Sequence, residues 1–353
     1  MLTSLPMRSS KTILITGGAG FIGVNAARRF AKEGWQVTVF DNFARKGSEL
    51  NFSLLQKDFP EVKLIRGDVR SMEDLTKALA EPFNVVLHLA AQVAVTTSVV
   101  KPREDFEINA LGTFNLLEAV RNCPRPPIVL YASTNKVYGG LESVGVVEQD
   151  KRYAFASLAK GVSEEQGLDF HSPYGCSKGG ADQYVRDYSR IYGLKTVVFR
   201  QSCIYGQHQM GIEDQGWVAW FLIAGMFGRP VTLYGNGKQV RDLLHVDDLT
   251  ELYVQAVNNI DTLSGHAYNV GGGMQNTLSL LEFLEILKTD LGLELSIGHA
   301  SERPGDQPIF VSDNTAVSKA ANWTPKVPVR DGIRRLHAWL QDHKEELSQF
   351  YRQ

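Results

Sequence analysis

Cysteine is scarce in this sequence, which has only Cys123, Cys176 and Cys203 among its 353 residues. Their number is odd, they lie far apart and none forms a CxxC pair. Neither a disulfide framework nor a structural zinc site is therefore expected. Such cysteine usage suits a reducing compartment, so we expect a cytoplasmic protein that binds no metal.

An excess of charge of either sign is also absent. The 37 Lys and Arg residues nearly balance the 39 Asp and Glu residues, which gives a net charge of −2, and there is no basic stripe or charged tail. Nothing in this pattern favours nucleic acid or an anionic membrane as a partner. We therefore expect the chemistry of a small-molecule substrate.

Long hydrophobic runs are missing as well. The apolar stretch at residues 218–227 is shorter than the roughly 20 residues that a bilayer-spanning helix needs, and residues 1–10 contain Pro6 and Arg8 but no long apolar core. We therefore expect no signal peptide and no membrane span. The composition, with 43% hydrophobic and 22% charged residues, is that of an ordinary globular protein.

A glycine-rich turn is the most informative pattern that is present. An apolar run at residues 12–15 leads into the sequence TGGAGFIG at residues 16–23, and a helical pattern follows at residues 24–32. Strand, glycine turn and helix form the first unit of a dinucleotide-binding sheet.

Each glycine of the turn has an expected task. Gly17 allows the chain to reverse, Gly20 allows a pyrophosphate to approach the backbone, and Gly23 allows the helix to pack on the strand. The amides of Phe21 and Ile22 would then face the phosphates at the positive end of the helix.

An acidic residue ends the second predicted strand at the distance that a dinucleotide site requires. Asp41 and Asn42 follow eighteen and nineteen residues after Gly23. A carboxylate there can accept both hydroxyls of the adenosine ribose, and it repels a 2′-phosphate. NAD is therefore favoured over NADP, although Arg45 and Lys46 nearby keep NADP open.

Short apolar strands alternate with helical patterns through the first 200 residues. This alternation predicts an α/β fold with a doubly wound parallel sheet of the Rossmann type. After Tyr205 the pattern becomes aromatic-rich and loop-rich, which predicts a smaller, discontinuous C-terminal substrate lobe. The predicted division is a NAD-binding domain at residues 9–200 plus 238–270 and a substrate-binding lobe at residues 201–237 plus 271–353.

Two further strand ends supply candidate cofactor contacts. Asp68, followed by Val69, could hold the adenine amino group, but it could equally cap the next helix. Leu89, Ala90 and Ala91 end the fourth strand with two small residues. Such residues let a cofactor lie close to the backbone, although they could also simply relieve crowding.

Residues 171–178, with the sequence HSPYGCSK, predict the start of a helix with Ser172 as its cap and Pro173 in its first turn. Tyr174 and Lys178 then stand four apart on one face. We expect the ammonium of Lys178 and the helix N-terminus to lower the pKa of Tyr174, which would make the phenol a general base. Thr134, after the fifth strand, could bind the same substrate oxygen.

Residues 140–171 interrupt the alternation with a polar, charged stretch that lacks a clear strand. Long loops inside compact domains are more often functional than not. We interpret this insert as an active-site flap.

Together these motifs resemble the extended short-chain dehydrogenase/reductase family, which contains nucleotide-sugar epimerases and dehydratases. The resemblance runs from about Lys11 to about Trp339, nearly the whole chain. Within the family, the segments STNKVYG, DFHSPYGCSK, RQSCIYG and DQGWVAWF look like those of the epimerases that act at C2 of CDP-linked sugars.

The resemblance implies a transient oxidation, in which NAD takes a hydride from C2 of the sugar and returns it to the opposite face of the 2-ketone. Residue by residue, the family's catalytic hydroxyl falls on Thr134, its base on Tyr174 and its cofactor-holding cation on Lys178. Tyr174 and Lys178 are accordingly expected to contact NAD as well as to act in catalysis.

The resemblance also implies contacts to a nucleotide-sugar substrate. Ser133, Asn135 and Cys203 are candidate substrate-binding residues, and Cys203 stands where many relatives have Asn. The family's phosphate-binding arginines would fall on Arg241 and Arg303, which suits a diphosphate that needs fixed cations. A CDP-sugar is the favoured substrate.

Three alternatives bear on the activity. Dehydratases of the family carry Asp-Glu after the catalytic Thr, whereas this chain has Asn135 and Lys136, so elimination is disfavoured. A UDP-sugar 4-epimerase would use the same three catalytic residues. A non-catalytic NAD-sensing protein would need no proton acceptor, which disfavours that alternative.

The resemblance further implies self-association. Family members commonly pair through two helices that flank the sheet, and the candidates here lie at residues 109–120 and 174–192. We expect a homodimer or homotetramer.

Overall fold

The computed structural model describes residues 11–302 and 307–351. The strands within these ranges are β1 (Thr12–Thr16), β2 (Gln36–Asp41), β3 (Lys63–Arg66), β4 (Val85–His88), β5 (Ile128–Thr134), β6 (Val146–Glu148), β7 (Tyr153–Phe155), β8 (Thr196–Gln201), β9 (Cys203–Tyr205), β10 (Val231–Tyr234), β11 (Val240–His245), β12 (Ala267–Val270), β13 (Thr277–Ser279), β14 (Ile297–Ala300) and β15 (Ile309–Phe310).

The α-helices of the same ranges are α1 (Phe21–Lys32), α2 (Ser48–Asp58), α3 (Met72–Ala78), α4 (Val95–Val100), α5 (Pro102–Phe106), α6 (Gly112–Arg121), α7 (Ser172–Tyr192), α8 (Trp217–Phe227), α9 (Val246–Asn258), α10 (Ile260–Leu263), α11 (Leu280–Leu291), α12 (Thr315–Ala321), α13 (Val329–Asp342) and α14 (Lys344–Tyr351). A π-helical turn at Glu107–Leu111 joins α5 to α6, and short 3-10 turns lie at Asn135–Tyr138 and Met274–Asn276.

Seven parallel strands form the central sheet in the order β12-β8-β5-β4-β1-β2-β3. Helices cover both of its faces, which is why Ile13, Leu14 and Ile15 of β1 are all fully buried although their side chains alternate between faces. The α/β fold class with a doubly wound Rossmann sheet is confirmed. The strand order reverses between β1 and β4, and the crevice beyond the carboxyl ends of such strands is where α/β sheets bind ligands.

A smaller sheet forms the second lobe. In it β11 pairs with β13 and β15 and also, in parallel, with β9. The predicted boundary at residue 238 had assigned β11 to the NAD-binding domain, but β11 lies in this smaller sheet. Helix α9, which follows it, does pack against α1 of the large sheet. The chain therefore returns to the large sheet after β11. The predicted boundary was wrong at this strand because a run of six residues does not show that β11 pairs with β9.

The insert at residues 140–171 contains a short hairpin, β6 with β7, that the sequence pattern did not reveal. The Tyr153 amide donates to the Lys238 carbonyl at 2.9 Å, and the Lys238 ammonium binds Glu148 at 2.7 Å. The hairpin is therefore held against the small lobe. Its two strands are only three residues long, too short for a clear alternation of apolar and polar residues.

The described part of the chain has no helix that is both long and apolar enough to cross a membrane.

Candidate active site

A cleft of about 400 Å³ opens along the carboxyl ends of the central strands. This volume lies in the ordinary range for ligand sites. All of the predicted cofactor contacts line it; besides Tyr174 and Lys178 they are Gly17, Gly20, Phe21, Ile22, Gly23, Asp41, Asn42, Asp68, Val69, Leu89, Ala90 and Ala91. The same cleft is also lined by Tyr174, Lys178 and Thr134. The fold therefore brings the predicted cofactor site and the predicted catalytic residues together.

The glycine turn is shaped by close backbone contacts. Gly17 has a φ of +68°, and a Cβ there would lie 2.7 Å from the Ala90 amide nitrogen. A Cβ at Gly23 would lie 2.2 Å from the Gly17 carbonyl oxygen. Side chains at these positions would push the turn off both β4 and α1. The first-turn amides of α1 have no intrahelical acceptor and open onto the cleft, as a phosphate site requires.

The carboxylate of Asp41 is fixed at the edge of this turn. Its Oδ2 accepts the Ala19 amide at 3.0 Å, and its Oδ1 accepts the Phe43 amide at 2.8 Å. Burial raises the pKa of Asp41, and the amides oppose that rise. Two carboxylate oxygens offer about four acceptor positions, so the fixed Asp41 retains capacity for two ribose hydroxyls.

Asp68 does not cap the helix that follows it, so that alternative is wrong. Ser71 is the cap of α3, and its Oγ accepts the Asp74 amide at 3.1 Å. Asp68 instead binds Arg70 and accepts the Asn42 side-chain amide at 2.9 Å. The Arg70 guanidinium lowers the pKa of Asp68 to about 2. A contact between Asp68 and adenine stays a prediction.

The start of α7 follows the predicted pattern to within one residue: the helix begins at Ser172, and His171 precedes it as the flanking residue. Ser172 has a positive φ of 63°, and its Oγ accepts the Gly175 amide at 3.2 Å, which is the bond that a helix cap makes. Pro173 occupies the first turn. This geometry orients Tyr174 and Lys178, one turn apart, toward the end of β5.

Lys178 is 4% exposed and held on two sides. Its Nζ donates to the Ala132 carbonyl at 2.5 Å and lies 4.3 Å from the ring centroid of Tyr131. Burial lowers the pKa of Lys178 to about 7, while Asp182 and Asp105 oppose that change. The lysine is thus a buried amine whose charge depends on nearby carboxylates.

The expected lowering of the Tyr174 pKa is not found, and the structure corrects that prediction. Burial raises the pKa of Tyr174 to about 12, and a hydrogen bond with Thr134 only partly opposes this. The phenolate loses its hydration where α7 packs on the sheet, and this loss outweighs any attraction to Lys178. The phenol is therefore neutral in the protein alone.

Thr134 ends β5 and is 6% exposed. Its Oγ1 accepts the Lys136 amide at 3.2 Å and contacts the Asn135 side chain at 3.4 Å. The hydrogen bond with Tyr174 places its hydroxyl next to the phenol. Two hydroxyl groups therefore converge on one point of the cleft.

The candidate substrate contacts are dispersed. Ser133 reaches the cleft wall, but its hydroxyl donates to Asp182 at 2.9 Å. Cys203 lines the cleft, and burial raises the pKa of its thiol to about 12, so it remains protonated. Asn135 is buried and, among the described residues, is not part of the cleft lining. A substrate role for any of the three stays a prediction.

Two arginines are candidates for binding the diphosphate, and Arg241 is the one that lies within the described residues. Arg241 lies on β11, two residues before Leu243, which pairs with Cys203. Its guanidinium partly opposes the rise that burial causes in the pKa of that thiol. It also donates to the Val240 carbonyl at 2.8 Å. Arg241 is therefore close to the cleft at Cys203. Arg303 lies outside the described residues.

Several cleft residues were not predicted from the sequence. The segment after β9 contributes His208, Gln209 and Gln215, each with a buried polar atom that has no hydrogen-bond partner among the described residues. Unpartnered buried polar atoms are costly and are consistent with a ligand-binding wall. Arg45 and Lys46 also line the cleft. Of these five residues, only Arg45 and Lys46 could be noticed in the sequence, because they are basic residues shortly after Asp41.

Comparison with known proteins agrees with this geometry. A model of the NAD dependent epimerase/dehydratase family matches residues 13–271. The chain is 44% identical over 333 residues to CDP-paratose 2-epimerase of Salmonella typhi, which covers 93% of this chain and 98% of that protein.

Solved structures show the same likeness. A Thermus thermophilus UDP-glucose 4-epimerase in complex with NAD has a TM-score of 0.78 and 32% identity, covering 94% of this chain and 99% of that one. A Streptomyces venezuelae dTDP-glucose 4,6-dehydratase with NAD bound has a TM-score of 0.80 and 27% identity, covering 94% and 97%. The chain therefore belongs to the NAD dependent epimerase/dehydratase family and is an enzyme that uses NAD as its cofactor.

Proposed function

We propose that this NAD-dependent epimerase inverts C2 of a CDP-linked sugar, in the manner of CDP-paratose conversion to CDP-tyvelose. The observation that carries the proposal is the 44% identity to CDP-paratose 2-epimerase over nearly the full length of both chains. The convergence of Thr134, Tyr174 and Lys178 on the cleft supplies the groups that such a reaction needs.

The chain's own residues divide the proton chemistry among them. Tyr174 would take the proton of the C2 hydroxyl as that carbon is oxidised and return it as the ketone is reduced. Thr134 would hold the same oxygen by a hydrogen bond, and Lys178 would stabilise the charge on the phenol. When bound, NAD supplies a reversible hydride acceptor and a positive charge on its nicotinamide ring. Because Tyr174 is neutral in the protein alone, we propose that its deprotonation requires the assembled site.

The residues after Thr134 argue against elimination of water. Asn135 cannot act as an acid, and Lys136 extends toward Gln307, with Nζ 3.4 Å from its Oε1. Where dehydratases of the family carry an acidic pair, Asp-Glu, this chain therefore has the amide of Asn135 and the amine of Lys136. Epimerisation without dehydration is the better-supported chemistry.

A 4-epimerase of UDP-sugars is the second candidate activity. Its support is the structural likeness to UDP-glucose 4-epimerase, whose identity of 32% is lower than that to the 2-epimerase. A non-catalytic NAD sensor is disfavoured because two hydroxyls and a buried amine converge at one point of the cleft, and dinucleotide binding alone does not need them.

A panel of substrates separates these activities. The purified protein is incubated with CDP- and UDP-linked sugars, and the products are identified by NMR. We expect inversion at C2 of a CDP-sugar and none with Tyr174→Phe. Inversion at C4 of a UDP-sugar, with CDP-sugars unchanged, would replace the proposal by the second candidate.

We also propose that the protein is a homodimer or homotetramer. Helices α6 and α7 expose Phe114, Tyr184, Ile191 and Tyr192, with exposed fractions of 36% to 65%, and the rings of Phe114 and Tyr184 pack edge to face at 5.6 Å. An apolar patch on neighbouring helices is suited to a second copy. Light scattering at micromolar concentration should show a multiple of the 39.2 kDa chain mass, and a monomer mass would contradict this proposal.

A cytoplasmic location and the domain boundaries remain proposals. Cys123, Cys176 and Cys203 are all free thiols, which is compatible with a reducing compartment. We propose the predicted division at residues 200 and 270, with the boundary at residue 238 moved beyond β11 because that strand lies in the smaller sheet.

A further inference from the structure

A buried carboxylate next to the catalytic helix belongs to none of the motifs. Asp105, on α5, is fully buried. Its Oδ1 accepts hydrogen bonds from Gln92 Nε2 at 2.8 Å and from Asn109 Nδ2 at 3.0 Å. Its Oδ2 has no hydrogen-bond partner within the described residues. A buried carboxylate with one unsatisfied oxygen is costly, so its presence requires a physical reason.

The packing around Asp105 connects the cleft wall to the catalytic helix. Both α5 and the π-helical turn after it pack against α7. Asn109, in that turn, also binds the backbone of Gln92, accepting its amide at 3.0 Å and donating to its carbonyl at 2.8 Å. Gln92 directly follows Ala91 of the cleft, and π-helical turns within helices are frequent at functional sites. Asp105 is thus held rigidly between the cleft and α7.

The charge of Asp105 acts on both members of the catalytic pair. It raises the pKa of Tyr174 and that of Lys178. Asp182, one turn beyond Lys178, also raises the lysine pKa. The titratable groups that face Lys178 from its own helix and from the packed elements are Tyr174, Asp182, Asp105, Tyr131 and His88.

Among the groups near Lys178, Asp105 is the carboxylate that affects the pKa of both Tyr174 and Lys178. Burial lowers the pKa of His88 to about 3, so the imidazole is neutral near pH 7 and adds no charge. Burial also raises the pKa of Tyr131, which is neutral too. Asp182 has the larger effect on the Lys178 pKa but is ion-paired with Arg200 at 2.9 Å and is not among the groups that shift the pKa of Tyr174. Asp105 shifts the pKa of both residues, and within the described residues its hydrogen-bond donors are the neutral amides of Gln92 and Asn109.

We propose that Asp105 is a positioning residue whose negative charge sets the pH range in which Tyr174 can act as base while Lys178 remains an ammonium. The inference rests on the proposed function of these two residues. A negative charge favours the protonated form of each neighbour. Its removal should therefore ease proton loss from both groups at once.

The first test is the pH dependence of kcat/KM for a CDP-sugar in Asp105→Asn, which keeps the shape and removes the charge. The acidic limb and the alkaline limb should both move toward lower pH, whatever the change in maximal rate. Glu104→Gln is the matched control, because it removes the same charge one residue earlier from a partly exposed side chain that pairs with Lys101 at 3.1 Å. Both limbs should stay in place in the control.

The second test needs no activity. Protein with [15Nζ]lysine is titrated by NMR, and the Lys178 signal, whose midpoint is expected near pH 7, is identified by its loss in Lys178→Met. Its midpoint should fall in Asp105→Asn. If the amide disturbs Gln92 and Asn109, Asp105→Ser removes the charge with a smaller side chain and should show the same fall.

The outcomes separate the inference from the proposed function. A lowered Lys178 midpoint in a protein that is inactive on every nucleotide sugar would support the charge effect and refute the proposed function. An active protein whose pH limbs and Lys178 midpoint are unchanged by Asp105→Asn would overturn the inference.

Discussion

Arg200 binds both carboxylate oxygens of Asp182, with Nε to Oδ2 at 2.9 Å and Nη2 to Oδ1 at 3.0 Å. The two side chains are 3% and 0% exposed. Ser133 donates to the same carboxylate at 2.9 Å. Together with Ser133, this buried ion pair connects the ends of β5 and β8 to the middle of α7, and Asp182 lies one helical turn from Lys178.

Removing one partner of this pair should destabilise the fold strongly. Arg200→Met leaves Asp182 as an uncompensated buried charge, so the free energy of unfolding should fall by about 3–5 kcal/mol. Chemical denaturation measures it. In the control, Arg334→Met removes an exposed guanidinium that pairs with Asp331 at 3.0 Å and with Asp290 at 3.1 Å. Asp290 keeps its pair with Arg330 at 2.9 Å, so the substitution should cost less than about 1 kcal/mol. Equal effects of the two substitutions would contradict the assigned burial of the Arg200 pair.

The phenol of Tyr174 should be essential while other tyrosines of the same helix are not. Tyr174→Phe should lower kcat by about 10²-fold to 10⁴-fold or more, since it removes the proton acceptor. Tyr184→Phe, on the exposed face of α7, should leave kcat unchanged. Thr134→Ala should cost roughly 10²-fold. A Tyr174→Phe protein of near wild-type rate would remove Tyr174 from the proposed site.

The carbon that is oxidised can be read from isotope retention. Substrate that carries deuterium at C2 should yield an epimer that retains it at C2, because the hydride leaves and returns to the same carbon. A ketone formed elsewhere, with an enolate relaying the inversion, would exchange that hydrogen with solvent. NMR of the product in light water distinguishes the two, and appearance of solvent hydrogen at C2 would refute direct hydride return.

Lys178 should make stability depend on pH in a definite direction. Its pKa falls from 10.5 to about 7 on folding, so between these values the unfolded chain binds the proton more strongly than the folded protein does. Stability from this group therefore rises with pH across that window, and the full cost of burying the charge is present below about pH 7.

Replacing Lys178 by an uncharged side chain should remove that cost. Lys178→Met should stabilise the protein at pH 6–7 by about 1–4 kcal/mol, and the difference from wild type should shrink as pH approaches 10. Thermal unfolding of both proteins over this range gives the comparison. Lys195→Met is the control: its ammonium is exposed and pairs with Asp261 at 2.6 Å, so the difference from wild type should stay below about 1 kcal/mol. A pH-independent difference for Lys178→Met would contradict the lowered pKa.

The glycine turn should tolerate no side chain at Gly23. In Gly23→Ala the new Cβ would lie 2.2 Å from the Gly17 carbonyl oxygen, so the free energy of unfolding should fall by about 1–3 kcal/mol. We expect NAD to copurify with the wild-type protein, and less of it with Gly23→Ala. In Gly180→Ala, on α7, the new Cβ would meet no described atom within 4 Å beyond its chain neighbours and the adjacent backbone of its own helix, and the substitution should stabilise by about 0.5–1 kcal/mol. NAD content equal to wild type in Gly23→Ala would argue against a cofactor at this turn.

Local patterns in the sequence were enough to predict the large sheet, the glycine turn and the start of α7. Apolar strands, a glycine turn and a capped helix start depend on residues close together in the chain, which is why Gly17, Ser172 and the spacing of Tyr174 and Lys178 were read correctly. The pairing of β11 with β9 joins segments about 40 residues apart, so it could not be predicted from a local pattern.

The ionisation of the site was decided by tertiary structure alone. The sequence places Lys178 four residues after Tyr174 and so suggests a lowered phenol pKa, but burial of both groups raises the pKa of the tyrosine and lowers that of the lysine. The partners that adjust these values, Asp105 and Ala132, come from other elements. A motif determines which side chains are neighbours along a helix. Their pKa values depend on how far packing removes them from water and on which charged groups the rest of the chain places beside them.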